Sequence, residues 1–316
     1  MPYRSVPMEF DAYLRLSGAS SREWSAAFCR LSGCDRVHCV PEQPGNPVGS
    51  LSSLTLDNGA LCYFSADQCF RMEDLDCDFS SLLLVRRGEV TLTASDTTLQ
   101  AGDLYCLPGG SGGDMQVGKG ARVLVIKWFA GPSARCCRQL GPVTRPGIDL
   151  LLYDFMQRSR FFRDHEHALA SGNQLLETLE QALSSDLEIS QPEPVLQDKR
   201  VQQAVEHIEQ NRQWAFSLAE LAGIAGVSER NLYYLMRRET GLTPYRYYQR
   251  CRLIRVRLRL VDCQSDEPHI SWYASDEGFS HLGRFAGLYR EHFGELPSET
   301  VQWRTSLTES VAETAE

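Results

Sequence analysis

The chain of 316 residues has no apolar run of about 18 residues, and its start, Met1-Pro2-Tyr3-Arg4-Ser5 leading into Glu9 and Asp11, has no apolar signal core. Neither a spanning helix nor a secretory leader is expected, which places the protein in the cytoplasm. Its eleven cysteines include no CxxC pair and no histidine-spaced ligand set. Reduced, partly buried thiols are expected, with the adjacent Cys136-Cys137 pair leaving redox or metal sensing open. Histidine is scarce, seven in all and none between Asp78 and Ala130. That absence disfavours a histidine-held metal there, and no metal, cofactor or catalytic group is expected. The net charge of −9 argues against indiscriminate coating of nucleic acid.

The charge that is present is unevenly placed. Between Ser228 and Leu260 nine arginines (230, 237, 238, 246, 250, 252, 255, 257 and 259) face two acids, Glu229 and Glu239, a local balance of nine minus two, or +7. Such a stretch reads either as a footprint for phosphates or as a solvated helix face. The first half instead carries short apolar runs, among them Gly59–Phe64, Ser81–Val85, Glu89–Thr93, Asp103–Leu107 and Arg122–Phe129, parted by turn residues. This is the pattern of an antiparallel β-barrel or sandwich. After Gly147 the period becomes helical. Leu175, Leu176, Leu179 and Leu183 form one stripe after a cap at Asn173, and it either packs on the barrel or pairs with a second subunit. Ser190-Gln191-Pro192-Glu193-Pro194 interrupts the helix, and a new one begins near Asp198.

The last third contains two helix-turn-helix patterns. In the first, Leu218, Leu221, Ala222 and Ala225 give a buried face, Gly226 turns and Ser228 caps the second helix. There Leu232, Leu235 and Met236 point inward, leaving Arg230, Asn231, Tyr233, Tyr234 and Arg237 to a DNA groove. The two tyrosines could equally complete packing or touch phosphate. In the second, Ile270, Trp272, Tyr273 and Ala274 are the apolar positions, Gly278-Phe279 the turn and Ser280 the cap. Phe285, Tyr289 and Phe293 look inward, and His281, Leu282, Gly283 and Arg284 remain at the DNA-facing end. His281 has no second ligand at metal-binding spacing. Thr243–Val261 joins the units as a helical rod whose Arg250, Arg252 and Arg255 are read as phosphate contacts. On that reading Arg255→Ala weakens binding to every sequence and lowers its salt dependence.

These residues carry a resemblance. Gly241-Leu242-Thr243-Pro244, Tyr247, Arg252-Leu253, Gly278-Phe279, Phe285, Phe293-Gly294 and Pro297-Ser298 are similar to the two-part DNA-binding domain of AraC/XylS regulators, over about residues 201 to 304. The runs Gly278–Ala286 and Phe293–Ser298, with Leu232-Tyr233, resemble the branch of XylS and the benzoate and anthranilate regulators. The resemblance implies a homodimeric activator that reads repeated half-sites in promoter DNA and meets RNA polymerase when an effector binds. A weaker resemblance, through Leu84-Val85, Gly88, Leu99, Ala101-Gly102-Asp103 and Leu107-Pro108, relates the first half to cupin-like effector domains.

The expected architecture is therefore α+β: a cupin-like antiparallel barrel with trailing helices, then an all-α domain of two helix-turn-helix units joined by a long helix. The expected divisions are an effector and dimerisation domain (1–188), a linker (189–198), the DNA-binding domain (199–304) and a disordered tail (305–316). An aromatic carboxylate in the barrel would need a cation and ring walls. Arg71, Arg122 and Lys127 are the candidate cations, and Tyr63, Tyr105 and Trp128 the candidate rings. Lys127 alternates with Val123 and Val125 and so points inward, unless it is a solvent-facing edge lysine. Arg86 and Arg87 belong to a hairpin turn. Two rival readings are a cupin-type metalloenzyme with a DNA tether and a regulator governed by a partner protein on the Leu175–Leu183 face.

Overall fold

A computed structural model describes residues 10–76, 78–107, 109–110, 113–129, 144–185, 198–262 and 269–313. Chain order gives β1 (Leu14–Leu16), α1 (Ser21–Ser32), β2 (Arg36–Pro41), β3 (Gly49–Leu56), β4 (Gly59–Ala66), β5 (Phe70–Asp76), β6 (Ser80–Arg87), β7 (Glu89–Leu92), β8 (Thr97–Gln100), β9 (Leu104–Leu107), β10 (Gly113–Val117) and β11 (Arg122–Trp128). The helices that follow are α2 (Thr144–Arg158), α3 (His165–Ser185), α4 (Lys199–Gln210), α5 (Leu218–Ile224), α6 (Glu229–Thr240), α7 (Pro244–Val261), α8 (Ile270–Asp276), α9 (Leu282–Phe293) and α10 (Pro297–Glu313). This is the expected α+β arrangement of antiparallel strands followed by helices. The tail expected from 305 begins inside α10, where Leu307 is buried.

The strands form two antiparallel sheets, ordered β1-β3-β4-β11-β6-β9 and β2-β5-β10-β7-β8. Strand alternation assigns the side chains to faces. Phe64, Leu83, Val85 and Val123 turn inward to meet Phe70, Met72 and Met115, with Trp24 and Phe28 of α1. Leu61, Tyr63, Leu82, Leu84, Leu124, Ile126 and Trp128 turn outward under α2 and α3. The leucine stripe packs there: Leu175, Leu176 and Leu179 are buried against this outer sheet face, so this state does not offer them to a partner protein or second subunit. α3 comes close because residue 172 is glycine; an added Cβ would lie 2.6 Å from a Leu56 methyl. Asn173 does not cap a helix, since α3 starts eight residues earlier. Its amide instead donates to Asp57 Oδ2 at 2.7 Å and accepts from the Asp57 N–H, which pins the β3–β4 turn.

Reduced thiols were expected throughout, but Cys34 is disulfide-bonded; Cys29, Cys39, Cys62, Cys69, Cys106 and Cys251 are free. Cys136-Cys137 and the linker from 189 to 197 lie outside the described residues. No described helix is long and apolar enough to cross a membrane.

The cores do not divide as the chain does. α4, α5 and α6 enclose a cluster of their own with Tyr247, Tyr248 and Cys251 of α7. The second unit shares its core with the sheet: Leu253, Ile254, Phe285, Tyr289 and Phe293 are continuous with Phe10, Tyr13, Leu54 and Trp128. A buried polar node locks this junction. Arg257 donates to Glu295 Oε1 at 2.8 Å and to the Tyr289 hydroxyl at 3.2 Å, Thr300 donates to the same carboxylate oxygen, and Arg15 of β1 closes on Oε2. Burial acts to raise the Glu295 pKa, but the two guanidiniums and the hydrogen bonds from Arg15 and Thr300 outweigh it and bring the group to about 2. The folded pKa is depressed from an ordinary 4.5, so this stabilisation is present above about pH 4.5 and is lost as pH falls toward 2. Glu295→Gln is expected to flatten the loss of thermal stability in that window and to lower stability at pH 7 by about 3 kcal/mol, measured by denaturant unfolding at stepped pH.

Candidate nucleic-acid interface

Each helix-turn-helix unit is built from local signals. Ser217 accepts from Glu220 N–H and Ser228 from Asn231 N–H, both at 3.3 Å, to cap α5 and α6. Gly226 turns between them at φ 65°. Thr243 caps α7 and Pro244 takes its first position, where the missing N–H costs nothing. The second unit differs from expectation at its start. Ser280 is not the cap; α9 begins at Leu282 with His281 in the cap position and no side-chain cap bond.

The candidate reading surfaces stand clear of the cores. On α6, Arg230, Asn231 and Arg237 are exposed, and Tyr233 and Tyr234 are 42% and 65% exposed, so packing is excluded as their role and outward contact remains. On the second unit His281, Leu282, Gly283 and Arg284 are all exposed at the amino-terminal end of α9. Here the helix dipole and unbonded N–H groups favour anions. Trp272, expected in the core, lies 68% exposed on α8. Nothing in the apolar pattern separates it from Tyr273, since adjacent residues of a short helix differ only by rotation.

The arginine-rich rod is the main correction. Arg250 is 1% exposed and donates to the carbonyls of Arg160 and Ser159 at 3.0 and 3.2 Å. Arg255 donates to Glu277 Oε2 at 2.7 Å, with its side chain 11% exposed. Arg259 pairs with Asp276 at 2.9 Å and lies over the Tyr273 ring. Arg252 is half-buried over the rings of Tyr248 and Phe279. Arg250 and Arg255 are thus internal ties, not phosphate contacts, and Arg252 is mainly a packing residue. Among these cations of α7, Arg246 stands exposed, with Glu291 3.9 Å away.

Sequence reasoning missed the residue that holds the two units in register. Glu277, 5% exposed, receives Arg212 at 2.7 Å and Arg255 at 2.7 Å. Arg212 follows α4 of the first unit, Arg255 belongs to the rod and Glu277 ends α8 of the second. The pairing could not be found from spacing, because 65 residues separate Arg212 from Glu277.

The barrel candidates divide by strand parity. Lys127 and Tyr105 face the interior; Tyr63 and Trp128 sit in the outer core beneath the helices. Arg71, between the inward Phe70 and Met72, is exposed and paired with Glu73, and Arg122 lies off the parity of Lys127 at the strand's start. Tyr63, Trp128, Arg71 and Arg122 are therefore not assembled with Lys127 into one pocket. Among the described residues no group of three or more His, Cys, Asp and Glu is placed to hold a metal.

Residues 221–302 match the family model described as a helix-turn-helix domain. Over 103 residues the chain is 41% identical to the XylDLEGF operon transcriptional activator 3 of Pseudomonas putida, and over 100 residues 42% identical to activator 2 of that organism, covering 33% and 32% of this chain. The matches span 31% and 64% of those relatives' own lengths. A solved structure of a probable AraC family transcriptional regulator from Rhodopseudomonas palustris is 35% identical over 33% of this chain and 95% of that one, with a TM-score of 0.31.

Two substitutions check the corrected roles. Glu277→Gln is expected to weaken binding to DNA carrying both half-site segments at least tenfold while changing binding to a single segment little, read by fluorescence anisotropy. Arg250→Ala is expected to lower unfolding stability by about 3 kcal/mol, because it strands buried carbonyls and empties a filled site, and to leave the salt slope of DNA binding unchanged. Through its carboxy-terminal third, the chain carries a helix-turn-helix domain similar to that of the XylDLEGF operon transcriptional activators.

Proposed function

We propose that the protein is a sequence-specific DNA-binding transcriptional regulator, acting as an activator of a catabolic operon when a small-molecule effector occupies its amino-terminal sheets. One observation carries this reading: two helix-turn-helix units, each with an exposed helix start, are fixed on one rod by the Arg212–Glu277–Arg255 tie. The rod of 18 residues is about 27 Å long at 1.5 Å per residue, on the scale of one turn of DNA. In this reading Arg230, Asn231, Tyr233, Tyr234 and Arg237 enter one major-groove segment. His281, Leu282, Gly283 and Arg284 enter the next. The printed names of the relatives, operon activators and an operon regulatory protein of Rhodococcus erythropolis, support promoter DNA as the partner.

The finer parts of the proposal are an aromatic carboxylate as effector, a homodimer as the acting form and RNA polymerase as the target of the bound protein. The division into an effector part up to 188 and a DNA-reading part from 199 to 304 belongs to the same proposal. The shared core between the sheet and α7 and α9 supports coupling, since a ligand acts only through its different affinity for two states of that contact.

The test is DNA selection with the purified protein, followed by affinity measurement for selected and scrambled duplexes. Arg284→Ala is expected to cost about 1–3 kcal/mol at the selected sequence and little at the scrambled one. An unchanged ratio of the two affinities would remove Arg284 from base reading.

A further inference from the structure

We infer that the barrel end around Lys127 is a binding site for the carboxylate of a small ligand with an apolar or aromatic body, and that the Lys127 ammonium is its anchor. The inference rests on the reading above that the amino-terminal sheets receive an effector, and it names the group that holds it.

Lys127 lies on the central strand β11 between β4 and β6, paired with Ala60 and Ser81. It shares the inward parity of Val123 and Val125; Ser81 is opposite it on β6, and Cys62, opposite Val125, with Ser53 beyond it on β3 continues a buried row of small and polar side chains. The lysine is 0% exposed, and its Nζ has no hydrogen-bond partner among the described residues. Cys62 does not serve it, since the thiol donates to the Leu31 carbonyl and contacts the Ser53 hydroxyl. A buried ammonium without an anion or acceptor is expensive. Burial lowers the Lys127 pKa to about 8, with the neighbouring Cys62 acting weakly against it.

Two rings frame the amine, Phe79 at 4.7 Å and Phe129 at 4.9 Å from Nζ to the ring centroids. They stabilise a cation through their faces yet donate and accept no hydrogen bonds. Phe129 is half exposed, so this end of the interior borders the surface. Gly33, at the end of α1, stands beside the amine: an added Cβ would lie 3.6 Å from Nζ and 3.8 Å from the Phe129 ring. The site thus holds a desolvated cation and two apolar walls and lacks one anionic acceptor. A monocarboxylate with a ring or short chain supplies that acceptor and covers the walls.

The test compares wild type with Lys127→Met, which keeps the length and removes the charge. Benzoate, salicylate, anthranilate and octanoate are titrated calorimetrically and by thermal shift, with benzamide as the neutral control. At least one acid is expected to bind wild type, to bind Lys127→Met at least tenfold more weakly, and to bind better than benzamide. The unliganded variant is expected to melt above wild type, because an unpaired buried amine has been removed, and its affinity for selected DNA is expected to be unchanged, which excludes misfolding. Equal acid affinity in wild type and variant would overturn Lys127 as the anchor while leaving effector binding intact. Benzamide binding as tightly as benzoate would overturn the ionic contact. No response of wild type to any of the acids, with DNA still bound, would overturn the carboxylate site and leave the DNA-reading proposal standing.

Discussion

Desolvated arginine on α7 is the constraint on which the arrangement depends. A guanidinium keeps its charge in any protein environment, so each one drawn into the interior must find an acid or several carbonyls. Arg250 takes two carbonyls from the turn after α2, Arg255 takes Glu277 and Arg257 takes Glu295. The partners come from the turn after α2 and from the second unit, whose Glu277 also receives Arg212 of the first, so the rod is buried with its charges met only when all of these stand in their places. Burying these charges contributes little net stability compared with apolar packing, but misplacing one partner leaves a charge uncompensated. The ties therefore select one arrangement more than they strengthen it.

The apolar contacts assign the two DNA units different attachments. The first has its own cluster and meets the sheet domain mainly through Phe161 and the ion pair of Arg160 with Glu209. The second is continuous with the outer face of the six-stranded sheet, and α10 is further held to α1 by Arg304 with Glu23 and by Arg30 with Ser306. A change in the sheet domain is thus felt at the second unit through packing and ion pairs together, and at the first largely through the rod.

Local structure was legible where the determinant was local. The cap at Ser228, the turns at Gly226 and Gly278 and the inward residues of α6 and α9 follow from spacing alone, and so does the barrel pattern of short apolar runs. The cap expected at Ser280 and the inward place expected for Trp272 failed locally; most other failures depended on distant partners. Asn173 has the side chain of a cap, but Asp57, 116 residues away, engages it. The arginines of α7 look like a surface footprint because charge in a sequence carries no record of burial, and their acids lie 22 and 38 residues away. Grouping Trp128 and Tyr63 with Lys127 was an error the sequence could have prevented. Adjacent strand residues point to opposite faces, so Trp128 and Lys127 could not share a pocket on a regular strand.

The contrast between Lys127 and the arginines sharpens the same physics. In the interior an arginine stays charged and compels the fold to supply an anion, whereas burial lowers the pKa of a lysine and so reduces the cost of leaving it without one. Arg257 is built into the structure with its carboxylate already present; Lys127 is equally buried and has none among the described residues. A permanently satisfied cation can only hold elements together. An unsatisfied amine leaves room for an anion, and β11 belongs to the sheet whose outer face shares one core with α3, α7 and α9. The cations are thereby separated by side-chain type, arginine tied to acids and carbonyls in the frame and lysine buried inside the barrel.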